Sequence, residues 1–235
     1  MSNPVNQMPE KSDGRVLTIP VGDRAAFEDA CARASTDEAV RAVLIVLSDE
    51  VSVEPGTPAS IAALLVPVIA GLSGQIDDRV LELALAVDVR ICDSDTTFAL
   101  TTVTDSGHGQ LPSDGGTQRL PRVVGPGLAT DMLLTGRRIT AEEALRVGLV
   151  TEICPVGESK SRAEQLANEI ASHGRSAGRF TKEAVLKGAD MTLEQSLRLE
   201  ADLAILLHTD PERGEGIDAF NARRKPDFRQ EDGSK

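Results

Sequence analysis

A chain of 235 residues, 40% hydrophobic and 26% charged, has room for one compact α/β core and lies within the ordinary range of globular proteins. Its net charge of −12 argues against general binding to nucleic acid or to anionic membranes, and any polyanionic ligand would need a local basic patch. Cys31, Cys92 and Cys154 are odd in number, far apart and without a CxxC pair. They read as buried free thiols in a reducing cytoplasm, with no disulfide framework and no metal site expected. No signal peptide is visible, and the apolar run from Ile61 to Leu72 is broken by Pro67 and too short to span a bilayer.

Residues 1–14 are polar, contain Pro and Gly, and read as a loose tail. Val16 to Val21 reads as a strand, and Asp23 as the cap of a helix through Ala34 with Phe27, Ala30 and Cys31 on its apolar stripe. Val40 to Leu47 is a nearly continuous apolar run, as expected of a strand buried on both faces. Ser48 to Pro58 is a loop. Ile61 to Ala70 starts helical and becomes a strand after Pro67, because proline disfavours helix in the residue before it. A helix is expected over Val80 to Val87, a strand over Val89 to Cys92, and Thr96 to Val103 is β-prone. This alternation predicts right-handed βαβ units and a parallel sheet.

The stretch from Asp114 to Thr151 holds two helix starts. Ser113-Asp114 before Gly115-Gly116 offers a short acidic cap, and Thr140 with Glu143 forms a capping box. Leu128 and Met132 lie on one face of a short helix, with Gly136 and Gly148 as stops. Helices follow over Ser161 to Ser172, Gly178 to Lys187, and Thr192 to Leu207. The last of these opens on a Thr-x-x-Gln box and carries Leu193, Leu197, Leu203 and Leu207 on one face. Asp210-Pro211-Glu212 starts a final helix, with Asp as cap and Pro as its first residue; it ends in Arg223-Arg224-Lys225, where cations suit the helix dipole as well as they would suit a phosphate.

The wording GGTQRLPRVVG, LLTGR, AEEAL and GLV within this stretch closely resembles a segment of the crotonase (enoyl-CoA hydratase/isomerase) family. Val66-Pro-Val-Ile-Ala resembles that family's PVIAAVNG strand, Glu82-Leu-Ala-Leu-Ala-Val-Asp88 its ELALACD helix, and Gly214 to Phe220 with Arg224-Lys225-Pro226 its closing helix. The resemblance covers roughly residues 40–228. It implies an α/β fold with a crotonase-like (ββα) spiral core over residues 15–155. A C-terminal helical oligomerisation region over 156–228 and a tail over 229–235 complete the expected division.

The resemblance also implies chemistry on an acyl-CoA thioester, with CoA as part of the substrate and no separate cofactor. Two backbone N–H groups would stabilise an enolate oxygen, and one or two carboxylates would move protons. Glu82 falls on the family's first catalytic glutamate; as a residue alone it reads equally as a polar helix residue facing solvent. The second carboxylate position falls on Thr102 or on Asp105, depending on the anchor used for counting. The family's GGG motif reads Asp78-Arg79-Val80 here, making the Arg79 backbone N–H the candidate oxyanion donor; without the resemblance, Asp77 to Arg79 read as a solvated loop. The loop that supplies the other donor is replaced by residues 49–56, and the NRP--NAL segment that flanks CoA has no counterpart.

The wording PSDG around Asp114 is similar to that of crotonase-like C–C hydrolases of β-diketones. Asp114 is therefore a helix cap or a catalytic residue, and His108 a base or a solvated loop histidine. The leading expectation is a cytoplasmic hydratase or isomerase, with a C–C hydrolase and a non-catalytic acyl-CoA-binding or partner-enzyme accessory protein as alternatives. A homotrimer or hexamer is expected, with no nucleic-acid or membrane partner.

Overall fold

The computed structural model describes residues 15–102, 111–224, 226 and 228. The elements run β1 (Val16–Thr18), α1 (Arg24–Thr36), β2 (Ala42–Leu47), α2 (Thr57–Ala62), β3 (Val68–Leu72), β4 (Gln75–Asp77), α3 (Asp78–Ala84), β5 (Val89–Asp93) and β6 (Thr97–Ala99). Beyond these come α4 (Gly116–Val124), α5 (Pro126–Thr135), β7 (Ile139–Thr140), α6 (Ala141–Arg146), β8 (Glu152–Cys154), α7 (Ser159–Ala171), α8 (Arg175–Gly188), α9 (Leu193–His208) and α10 (Glu212–Asn221).

Strands β1-β2-β3-β5-β8 form one five-stranded sheet in that order. All its pairs are parallel, with Val43 opposite Val68, Ile69 opposite Val89 and Ile91 opposite Glu152. A smaller sheet, β4-β6-β7, pairs β4 parallel and β7 antiparallel to β6. Strands β3 and β4 with α3, then β5 and β6 with α4, each give one strand to the large sheet, one to the small sheet, and a helix. This is the (ββα) spiral that the family resemblance implies.

Alternation along β2 sorts its side chains into two cores. Val43, Ile45 and Leu47 join the main cluster with Leu81, Phe98 and Leu120, while Ala42 and Leu44 face Ala163, Ala167 and Ala171 of α7. Small residues four apart on α7 let it lie close to the sheet. Its N-terminus is capped from a distance: Asp93, at the end of β5 and only 2% exposed, accepts hydrogen bonds from Ser159 N (2.8 Å) and Gly157 N (2.9 Å). Opposite in charge, Arg90 is also buried; its guanidinium donates to the carbonyls of Val87 (2.7 Å) and Leu149 (2.5 Å), and burial pulls its pKa below the ordinary arginine value.

Several expectations need correction. Among the described residues of the β-prone run from Thr96 to Val103, a strand forms over the three residues of β6, whose partner β4 ends where α3 begins. Thr140 Oγ1 accepts from Glu143 N (3.3 Å), but the Glu143 carboxylate takes Arg137 (2.6 Å), a charged partner stronger than the neutral amide a capping box would offer. By contrast, the Thr192–Gln195 box at α9 is complete. Helix α10 starts one residue later than expected, with Pro211 at the cap position and Asp210 Oδ1 accepting from Glu212 N (2.9 Å). On α9 only Leu203 is buried, whereas Leu193 and Leu197 are 75% and 54% exposed, because α9 packs on α8 and not on the sheet. At the end of α10, Arg224 pairs with Glu215 (2.6 Å). Among the described residues, no helix is long and apolar enough to cross a membrane.

Two measurements check this core. Replacing Asp93 by Ala strips two amides at the start of α7 of their acceptor, and urea unfolding should show a loss of about 1–3 kcal/mol. Cys92 and Cys154 are buried and Cys31 half-buried; burial pushes the Cys31 thiol up to about 11 and the Cys92 thiol up to about 12. A folded pKa raised above the unfolded value of about 8.5 gives stability that is fully present below about pH 8.5 and is lost as pH rises from there through the folded values of about 11 and 12. A disulfide reagent at pH 8 should therefore label the native protein slowly and the denatured protein fast.

Candidate active site

Helix α3 leaves β4 with no intervening loop: Asp77 is extended at the cap position, and Asp78 turns the chain with φ of 41°. That left-handed conformation is one glycine adopts freely and aspartate tolerates better than most residues. Asp77 to Arg79 are thus the start of a helix and not a solvated loop, and the Asp77 carboxylate pairs with Arg138 at 2.5 Å. As the second residue of α3, Arg79 presents a backbone N–H with no acceptor inside its helix. Its side chain shares a helix face with Glu82, three residues on.

Glu82 is 4% exposed, which overturns the reading of a residue facing solvent. Its Oε1 accepts two hydrogen bonds, from Asp114 N (2.9 Å) and Gly116 N (2.8 Å), at the start of α4. A carboxylate there meets the unpaired amides and positive end of the helix dipole. Among the described residues, no hydrogen-bond donor reaches its second oxygen, Oε2. The glycine pair serves this contact. Gly115 has φ of 101°, and a Cβ at Gly116 would lie 2.7 Å from Leu100 Cδ2 and 3.0 Å from Glu82 Oε1.

Asp114 is not the helix cap that its position suggests, since Gly115 occupies the cap and Glu82 supplies the acceptor from another element. Its Oδ1 instead accepts from Gly56 N (2.9 Å), at the start of α2. Its Oδ2 is buried without a hydrogen bond among the described residues, 3.5 Å from Arg79 Nε. Arg79 Nη1 in turn reaches the carbonyl of Val53 (3.4 Å). Glu82, Asp114 and Arg79 are therefore brought together with Val53 and Gly56, two residues of the 49–56 loop to which sequence reasoning gave no role of their own. Pro55-Gly56 by itself marks a turn and carries no chemistry. Gly56 also lines a cavity of about 160 Å³, bounded by Gly22, Phe27 and Glu54.

Thr102 is committed elsewhere, its N and Oγ1 both donating to Leu133 O (2.9 Å each). Asp105 and His108 lie outside the described residues.

The sequence model of the enoyl-CoA hydratase/isomerase family matches residues 58–231. YngF of Bacillus subtilis strain 168 is 36% identical over 210 residues, covering 89% of this chain and 78% of that protein. The crotonyl-CoA hydratase of Syntrophomonas wolfei is 38% identical over 168 residues, 72% of this chain and 64% of that protein, so the match spans less than two thirds of that relative. The crystal structure of an enoyl-CoA hydratase from Bacillus anthracis superposes with a TM-score of 0.78 at 28% identity, covering 91% of each chain.

Proposed function

The chain belongs to the enoyl-CoA hydratase/isomerase family, and from that premise we propose that it hydrates or isomerises an acyl-CoA thioester through an enolate-type intermediate. One observation carries the reading: a buried glutamate is held by one oxygen at a helix start while its other oxygen has no partner among the described residues. Anchoring Oε1 orients the group, and Oε2 moves the proton at the acyl carbons. The Arg79 backbone N–H is the proposed donor to the enolate oxygen. Asp114 is the proposed second carboxylate, because its own amide sits on Glu82 and its Oδ2 lacks a hydrogen bond. Asp105 and His108 stay candidates from the sequence alone. CoA enters as part of the substrate, and proton transfer of this kind requires no further cofactor.

A second reading, C–C bond hydrolysis of a β-diketone, draws on the finding that Asp114 is not used as a helix cap. The two separate in one set of assays. Calorimetry with a panel of acyl-CoA thioesters should show binding well below millimolar concentration, and Glu82→Gln should lower turnover of a short enoyl-CoA by about 10²- to 10⁴-fold. Absence of binding would overturn the CoA reading, and an unchanged rate would remove Glu82 from the mechanism.

We also propose a cytoplasmic homotrimer or hexamer. Three unpaired cysteines suit a reducing compartment. Within residues 156–228, α7 is engaged with the sheet, whereas α8 to α10 carry Val185, Ile205 and Phe220 at 65%, 64% and 83% exposed. Exposed large apolar side chains on successive helices suit an interface, and a closed ring would bury them. Light scattering at micromolar concentration should give three or six times the chain mass of 24.9 kDa; a mass near 24.9 kDa would sink the proposal.

A further inference from the structure

Arginine is a poor choice for the second position of a helix, because its charge faces the positive end of the dipole. Arg79 holds that position in α3, so its own helix gives no reason for it. The reason lies across the site. The Asp114 side chain is 10% exposed and, among the described residues, has one hydrogen bond, through Oδ1, with Oδ2 buried without one. The Asp114 backbone amide donates to the Glu82 carboxylate, so two acidic residues meet at the start of α4. Acidic side chains held largely out of water each need partners of their own. Glu82 has the start of α4, while Asp114 has the Gly56 amide and the Arg79 guanidinium.

We infer that Arg79 is a positioning residue of this site. Its guanidinium spans the Val53 carbonyl and the Asp114 carboxylate, closing a ring of Val53, Gly56, Asp114 and Arg79 that fixes the second carboxylate against the loop before α2. The inference rests on the roles proposed above for Glu82 and Asp114. Both Arg79 contacts are long, at 3.4 and 3.5 Å, and its side chain is 41% exposed. An exposed pair of that geometry adds little to folding stability. Its effect lies in where the Asp114 carboxylate is held, and displacement of a catalytic group by about 1 Å costs up to about a hundredfold in rate.

The test is a double-mutant cycle with Arg79→Ala, Asp114→Asn and their combination, with Arg79→Lys alongside, on turnover of a short enoyl-CoA. Arg79→Ala should lower kcat by about tenfold to a hundredfold with KM little changed and the unfolding midpoint nearly unmoved. The double variant should be no slower than Asp114→Asn alone, and Arg79→Lys should recover part of the loss. Losses that multiply, or an effect on KM alone, would overturn the inference. A second readout needs no turnover: hydrogen exchange at the Gly56 amide should quicken in Arg79→Ala and in Asp114→Ala alike. If the wild type fails to process enoyl-CoA, the proposed reaction falls, and exchange at Gly56 still decides Arg79. Exchange unchanged in Arg79→Ala would refute the ring.

Discussion

A carboxyl group buried to 4% exposure, as Glu82 is, needs hydrogen-bond donors aimed at it, and the start of α4 supplies them through the amides of Asp114 and Gly116. Much of the local structure follows from this contact. Gly115 must turn with φ of 101°, and Gly116 must lack a side chain, because Leu100 and Glu82 fill the space where a Cβ would be. With its cap supplied from α3, α4 leaves Asp114 free to reach Gly56 in the loop before α2. One long-range bond thereby places a carboxylate, a helix and a loop around the same small volume.

The same device recurs away from the site. Asp93 ends β5, lies buried, and receives the amides of Gly157 and Ser159 at the start of α7. Both carboxylates act as caps from a neighbouring element and have no need of a cap residue within the helix they serve. They differ in surroundings. Both Asp93 oxygens accept protein amides, which suits a structural role, whereas Glu82 keeps one oxygen without a partner among the described residues, which suits chemistry.

At the C-terminal end, packing and sequence pattern part company. The leucines of α9 repeat as on a core-facing helix, yet Leu193 and Leu197 are exposed and Leu203 alone is buried. Periodicity records that a face is apolar; it does not say which surface covers it. Sheet-facing positions in α7 are alanines, whose small size suits close approach, and they make a far weaker pattern in the sequence than the leucines do.

What the sequence determined by itself are the features set by neighbours along the chain. The β-branched run of β2, the break at Pro67 between α2 and β3, the Asp23 cap of α1 and the Thr192 box of α9 are all legible, because strand and helix preferences act over a few residues. The family wording added the spiral of paired strands and helices and singled out Glu82. Only the tertiary structure decided that Glu82 is buried and bound to α4, that Asp114 serves Gly56 in place of its own helix, and that Arg79 closes the ring through Val53. These contacts join residues 26 to 58 positions apart. A hydrogen bond across that distance is set by how sheets and helices pack, and short-range preference carries no record of it.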